Sequence, residues 1–200
     1  MAHISTDSFN LMPKSVEKLI SSAQECFFQH GYCAANVSLI GRYAGISRAT
    51  IYKNFSSKEE IFRAVVLNHI KCNRDALQEY GKSENDFWND TEKLIKDRCQ
   101  GIFDEISSNL IRSELVHAGR LHCEDLLQNE KSEIRKLIQA RIVKEDNAGR
   151  ISLKAIGISA KQFAEVIESV PIGIAFSSME DNNLDLITSM FNVFRATAKS

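Results

Sequence analysis

Proline is nearly absent, at two residues in a chain of 200. Proline removes a backbone donor and breaks helix interiors, so a chain that avoids it suits an all-helical fold. Long apolar runs are also missing. None approaches the roughly 20 residues that a membrane-spanning helix needs, so no membrane partner is expected. The first twelve residues carry neither a basic n-region nor an apolar h-region, so no secretory leader is expected, and the expected location is the cytoplasm. Five cysteines show no Cys-x-x-Cys and no regular spacing. An odd count leaves at least one without a partner in the chain, which argues against a disulfide framework. Neither sign of charge dominates, since 25 Lys and Arg face 26 Asp and Glu for a net −1. No Ser-His-Asp order, phosphate-binding glycine loop or paired-acid spacing stands out. Enzymatic function therefore has no positive support, and neither a cofactor nor a metal is expected. No internal repeat or low-complexity tract is visible.

What is present is concentrated between residues 36 and 55, Asn-Val-Ser-Leu-Ile-Gly-Arg-Tyr-Ala-Gly-Ile-Ser-Arg-Ala-Thr-Ile-Tyr-Lys-Asn-Phe. Val37, Ile40 and Ala44 repeat at helical spacing. Gly45 breaks that helix and can take positive φ. Ser47 is a good N-cap for a second short helix through Ala49, Ile51 and Tyr52. Two short helices joined by a tight turn form a helix-turn-helix pattern, whose second helix would offer Arg48, Thr50, Tyr52 and Lys53 to a DNA major groove. Upstream, Pro13 to His30 reads as one amphipathic helix with Val16, Leu19, Ile20, Ala23 and Phe27 on its buried face, ended by Gly31 as a C′ glycine. Downstream, Ser57 with Glu60 fits a capping box, and Ser56 with Glu59 fits one residue earlier. Residues 1 to 56 hold five Lys/Arg and three Asp/Glu, a mildly basic head on an acidic body.

The runs Phe28-Gln-His-Gly-Tyr32, Ala44-Gly-Ile-Ser47 and Ile51-Tyr-Lys-Asn-Phe55-Ser-Ser-Lys-Glu-Glu-Ile-Phe62 resemble the N-terminal DNA-binding domain of TetR-type transcriptional regulators, over about residues 12 to 72. Gly41 stands where the family usually has Ala, Asn36 where Ser or Thr is commoner, and Ser56 where Pro is common. Gly41 is expected to loosen its helix by ~1 kcal/mol relative to Ala. The resemblance implies that Tyr52 and Lys53 meet backbone phosphate. At the start of the recognition helix, beside Ser47, the Arg48 guanidinium can reach the O6 and N7 of a guanine, and Thr50 suits a phosphate or a thymine methyl. Lys58 and the leading N–H groups of its helix form a candidate anion site. Ser38 and Arg42 are open between phosphate contact and ordinary solvated surface.

The rest reads as helix after helix, for a total of about nine. The expected organisation is an arm (1–12), a helix-turn-helix domain (13–57), a connecting helix (58–80) and an effector-binding and dimerisation domain (81–200). The helices at 159–180 and 184–198 are unusually apolar for terminal segments, and Pro171-Ile-Gly-Ile-Ala-Phe176 is apolar nearly all round. Core packing or a two-fold interface explains that; the resemblance implies the interface, with Val170, Ile174, Ile187, Met190, Phe191 and Phe194 as its residues. Phe87, Trp88, Phe103 and Phe163 are candidates for lining an apolar effector pocket. His117, His122, Cys123 and Glu124 cluster in sequence, but their spacing does not put them on one face of a continuous helix, so scattered core and surface residues are the expected reading. Cys99 and Cys123 are read as small buried hydrophobes. The sequence thus points to a homodimeric DNA-binding regulator, a repressor released from a palindromic double-stranded operator by a small molecule. The alternatives are a metal- or oxidant-sensing regulator, or a protein-interaction module that has lost DNA specificity.

Overall fold

The apolar periodicity becomes helices throughout. The computed structural model describes residues 13–104, 106, 108–177 and 183–198, and among these there are eleven helices and no strand. They are α1 (Lys14–Ala34), α2 (Val37–Ala44), α3 (Arg48–Tyr52), α4 (Lys58–Cys72), α5 (Arg74–Lys82), α6 (Phe87–Asp104), α7 (Asn109–His122), α8 (Glu124–Asn147), α9 (Leu153–Ile156), α10 (Ala160–Ser177) and α11 (Asn183–Thr197). The expected arm, residues 1–12, lies outside the described residues. Among those described, no helix is long and apolar enough to cross a membrane.

The chain forms two compact units. The first comprises residues 1–72 and 105–127, the second residues 73–104 and 128–200. In the first, Leu19, Ile20, Ala23 and Phe27 of α1 are buried with Ile40, Ile51, Phe55, Ile61 and Phe62. The Phe27 and Phe62 rings meet edge to face at 5.1 Å, and α1 packs against α2, α4 and α7. In the second, Leu77, Phe87, Ile95, Ile134, Ile138, Ile142, Phe163, Ile167, Ile187 and Phe191 form one apolar core.

Two boundaries differ from the sequence reading. The connecting helix expected over 58–80 is broken at Asn73 into α4 and α5. The break falls at the edge between the units: α4 buries Ile61, Phe62 and Val65 in the first, and α5 buries Leu77 and Tyr80 in the second. Nor do residues 81–200 form one body. α7 belongs with the N-terminal helices, where it buries Leu115, Ala118 and Gly119. Helical spacing shows which face of α7 is buried but not which neighbour covers it. α7 runs for 14 residues, and α9 is a short helix of four.

Side chains cap the starts of α4 and α10. Ser57 Oγ accepts the Glu60 N–H at 3.2 Å, and Glu60 reaches back to the Ser56 N–H at 2.6 Å. At α10, Ser159 and Gln162 exchange both bonds, at 2.9 and 3.2 Å.

Candidate nucleic-acid interface

The helix-turn-helix is built almost entirely from local signals. Asn36 Oδ1 accepts the Leu39 N–H at 3.0 Å and starts α2. Gly45, at φ 68°, ends it. Its N–H bonds to the Arg42 carbonyl, and the Ile46 N–H reaches the Gly41 carbonyl at 3.0 Å. That pair of bonds is a Schellman closure. Ser47 then caps α3 through the Thr50 N–H at 3.2 Å, and the two hydroxyls lie 3.0 Å apart. Gly41 has a role that propensity conceals. A Cβ there would lie 2.8 Å from the Ile46 carbonyl oxygen, so the bare Cα gives the turn room to close.

With Ile40, Ala44, Ile51 and Phe55 buried, one side is left outward. Ser38, Arg42, Ser47, Arg48, Thr50, Tyr52 and Lys53 are all exposed. The Arg48 guanidinium lies 5.8 Å from the centre of the Tyr52 ring, close enough for a cation–π contact that orients both. Arg48, Tyr52 and Ser38 also line a cleft of about 640 Å³ with Asn36 and Val37 at the start of α2, and Ser56, Ser57 and Lys58 at the start of α4. The leading N–H groups of a helix have no intrahelical acceptor and sit at the positive end of its dipole. Two such ends and one guanidinium around a cleft suit an anionic oxygen such as a phosphate. Asn36 was not among the sequence candidates, although an Asn just before an apolar-periodic run was the signal for it.

Lys58 departs from its expected role. Its Nζ donates to the carbonyls of Tyr32 (2.9 Å) and Ala35 (3.1 Å), and it sits 4.2 Å from the centre of the Tyr32 ring. The ammonium thus satisfies carbonyls at the end of α1, and two of its three donors are committed to the protein. Its charge still stands at the cleft. Glu59, on the next position, has its carboxyl held below the usual range, first by its own backbone N–H at the helix start and then by Ser57. Tyr32 is pushed above its ordinary value by burial and by Glu59, to which its hydroxyl donates at 3.1 Å.

The remaining candidates fall as follows. Phe87, Trp88 and Phe163 do come together, with centroid separations of 4.9 Å (Phe87–Trp88) and 6.1 Å (Trp88–Phe163), and Phe163 meets Phe194 at 5.5 Å. They pack on one another in the core, with Phe87 and Phe163 buried and Trp88 partly so. The side chains of Phe103 and Ile174 lie outside the described ones. Ile187 and Phe191 are fully buried in their own chain's core, with Met190 and Phe194 partly buried against it, so these four do not form an outward face. Among the described side chains, the exposed large apolar residues of α10 and α11 are Val166, Val170, Leu186 and Val193. α11 carries two apolar stripes, and the stripe taken for the interface is the one its own bundle covers.

His117 is exposed on α7, the His122 ring lies tilted against Tyr32 with centroids 5.0 Å apart, and Cys123 is fully buried at the corner between α7 and α8. The continuous helix assumed for these residues is therefore interrupted. No group of three His, Cys, Asp or Glu among the described residues is placed to hold a metal. Burial pushes the thiols of Cys26 and Cys99 up to about 11 and that of Cys123 to about 12, which leaves little of the reactive thiolate at neutral pH.

Comparison with known proteins agrees with this geometry. Residues 19–65 match the family described as bacterial regulatory proteins, tetR family. The transcriptional activator FasR of Mycolicibacterium smegmatis is 36% identical over 63 residues, which cover 30% of this chain and 29% of FasR. The transcriptional repressor AcnR of Corynebacterium diphtheriae is 31% identical over 68 residues, 34% of this chain and 36% of AcnR. The matches thus span about a third of each of these relatives. The reduced form of E. coli NemR has the same fold, with a TM-score of 0.72 over 91% of this chain and 97% of its own, at 14% identity. Residues 19–65 are thus similar to the tetR family of bacterial regulatory proteins, within an all-helical fold shared with NemR.

Proposed function

We propose that the chain acts as a homodimeric repressor that reads a palindromic operator through α3 and is released from it by a small molecule. One observation carries the reading: Arg48, Tyr52 and Ser38 border a cleft rimmed by the first turns of two helices, beside exposed Lys53. Arg48 reads a base edge, Lys53 and Tyr52 hold phosphate, and Thr50 backs the helix start. Arg42 adds charge toward the backbone. Two such heads, related by a two-fold axis, would address half-sites about 34–36 Å apart. Val166 and Val170 of α10 with Leu186 and Val193 of α11 supply the outward apolar face for that pairing. An effector bound in the second unit would favour a conformer with badly spaced heads, which requires unequal affinity for the two states. AcnR, by its name a repressor, supports that sign of control, whereas FasR is named an activator.

The test is selection of an operator from random duplex DNA, followed by titration of two variants. Arg48→Ala should cost ~1–3 kcal/mol on the selected operator and relax preference at one base pair per half-site. Lys53→Ala should weaken all sequences alike and reduce the salt slope by about one. Wild-type behaviour of both variants would mean that α3 is not the reading helix. A library of apolar small molecules, tested for operator release alongside metals and peroxide, then decides the effector class.

A further inference from the structure

The backbone between Gly31 and Ala35 is the hinge on which α2 is hung, and two opposite charges hold it. Lys58, from α4, binds the carbonyls of Tyr32 and Ala35. Glu114, from α7 and 81 residues away in sequence, accepts the N–H of Cys33 with its carboxylate. Glu114 can come this close because Gly31 has no side chain: a Cβ on Gly31 would lie 2.6 Å from one carboxylate oxygen and 3.1 Å from the other. Gly31 itself stands at φ 77°, ψ 172°, a kink inside α1 after which its last residues lead the chain toward α2. α4 is tied to the end of α7 and the start of α8 as well. Arg63 bonds both oxygens of Asp125 at 2.8 Å and also reaches the His122 carbonyl.

We infer that Glu114 is a positioning residue for DNA reading: by holding the Cys33 N–H above Gly31, it sets the angle at which α1 hands the chain to α2 and so aims α3. This rests on the reading of α3 as the DNA-contacting helix. Glu114 is a carboxylate and would repel phosphate, so it can only act through the backbone it holds. Three observations converge on it: the bond to Cys33, the bare Cα of Gly31 beneath the carboxylate, and Lys58 fixing the carbonyls of the same five residues. α7 is thus part of the reading head, as its grouping with residues 1–72 in one compact unit also indicates. A shift of α7 would alter operator affinity without touching any residue that meets DNA.

The experiment uses the full chain and the operator selected above. Glu114→Ala should weaken binding by about tenfold, as expected if the fraction of heads in the reading conformation falls to about one-tenth. The weakening should apply to all sequences, with the salt slope unchanged, because no phosphate contact is lost. Amide exchange at residues 33–38 should speed up. Glu114→Gln keeps an oxygen acceptor for the Cys33 N–H and should recover most of the affinity and the protection, which a general loss of packing would not predict. Wild-type affinity and exchange in Glu114→Ala would overturn the inference, as would a reduced salt slope, or a Gln variant as weak as the Ala variant. Should the wild type select no operator, the DNA reading fails on its own. The clamp is then judged by exchange, and unchanged protection of residues 33–38 in Glu114→Ala overturns it.

Discussion

Replacing Gly31 by Ala sets a small stabilising effect against two larger penalties. Alanine restricts the unfolded chain and, at a compatible site, would stabilise by ~0.4–1 kcal/mol. This site is not compatible. At φ 77° and ψ 172° the residue occupies a region that is essentially reserved for glycine, where strain costs ~1–3 kcal/mol. The new methyl would also meet the Glu114 carboxylate 2.6 Å away, so Glu114 must leave the Cys33 N–H. Losing a hydrogen bond to a charged group costs ~1.5–3 kcal/mol, and solvent exposure at Cys33 puts the value near the lower end. The balance is a net destabilisation of roughly 2–4 kcal/mol. Urea denaturation of the full chain, followed by helical circular dichroism, measures it. The same substitution in a Glu114→Ala background should cost about 1–2 kcal/mol less, because only the backbone strain remains, and the cycle isolates the carboxylate's share. A Gly31→Ala protein as stable as wild type would refute the strain argument. An equal penalty in both backgrounds would refute the role given to Glu114.

Four further variants test other parts of the molecule. Ile187→Ala, at a fully buried position, should cost ~2–5 kcal/mol in denaturation. Leu110→Ala, at an exposed one, should stay within ~0.5 kcal/mol. Paired Val170→Glu and Val193→Glu should yield folded monomer by sedimentation without operator affinity, and a stable dimer of that variant would move the interface elsewhere. The Arg63 guanidinium holds the Asp125 carboxyl at about 2, below its usual value of about 3.9. The folded-state value is depressed, so the bridge contributes above about pH 4 and loses its effect as the pH falls toward 2. Asp125→Asn should therefore narrow the gap between denaturation midpoints at pH 6 and pH 3, and an unchanged gap would show that the bridge adds nothing.

Whatever depends on neighbours a few residues apart is legible in the chain itself. Capping at Asn36, Ser47, Ser57 and Ser159, the stop at Gly45 and the spacing of Val37, Ile40 and Ala44 are interactions within one turn. The sequence therefore carries both partners of each, and the helix-turn-helix was legible with its exposed Arg48, Tyr52 and Lys53. Tertiary structure decided whatever needs a partner distant along the chain. Periodicity marks two apolar stripes on α11, yet only packing shows that Ile187 and Phe191 face their own bundle while Leu186 and Val193 face outward. A lysine at the start of α4 reads as an anion site until the end of α1 arrives with two carbonyls for it. Glu114 carries no local signal at all. Its part is set by a glycine 83 residues earlier, whose missing side chain leaves space for a carboxylate from α7. Short-range hydrogen bonds and helical spacing fix elements one at a time, whereas desolvation and close approach between elements choose their partners.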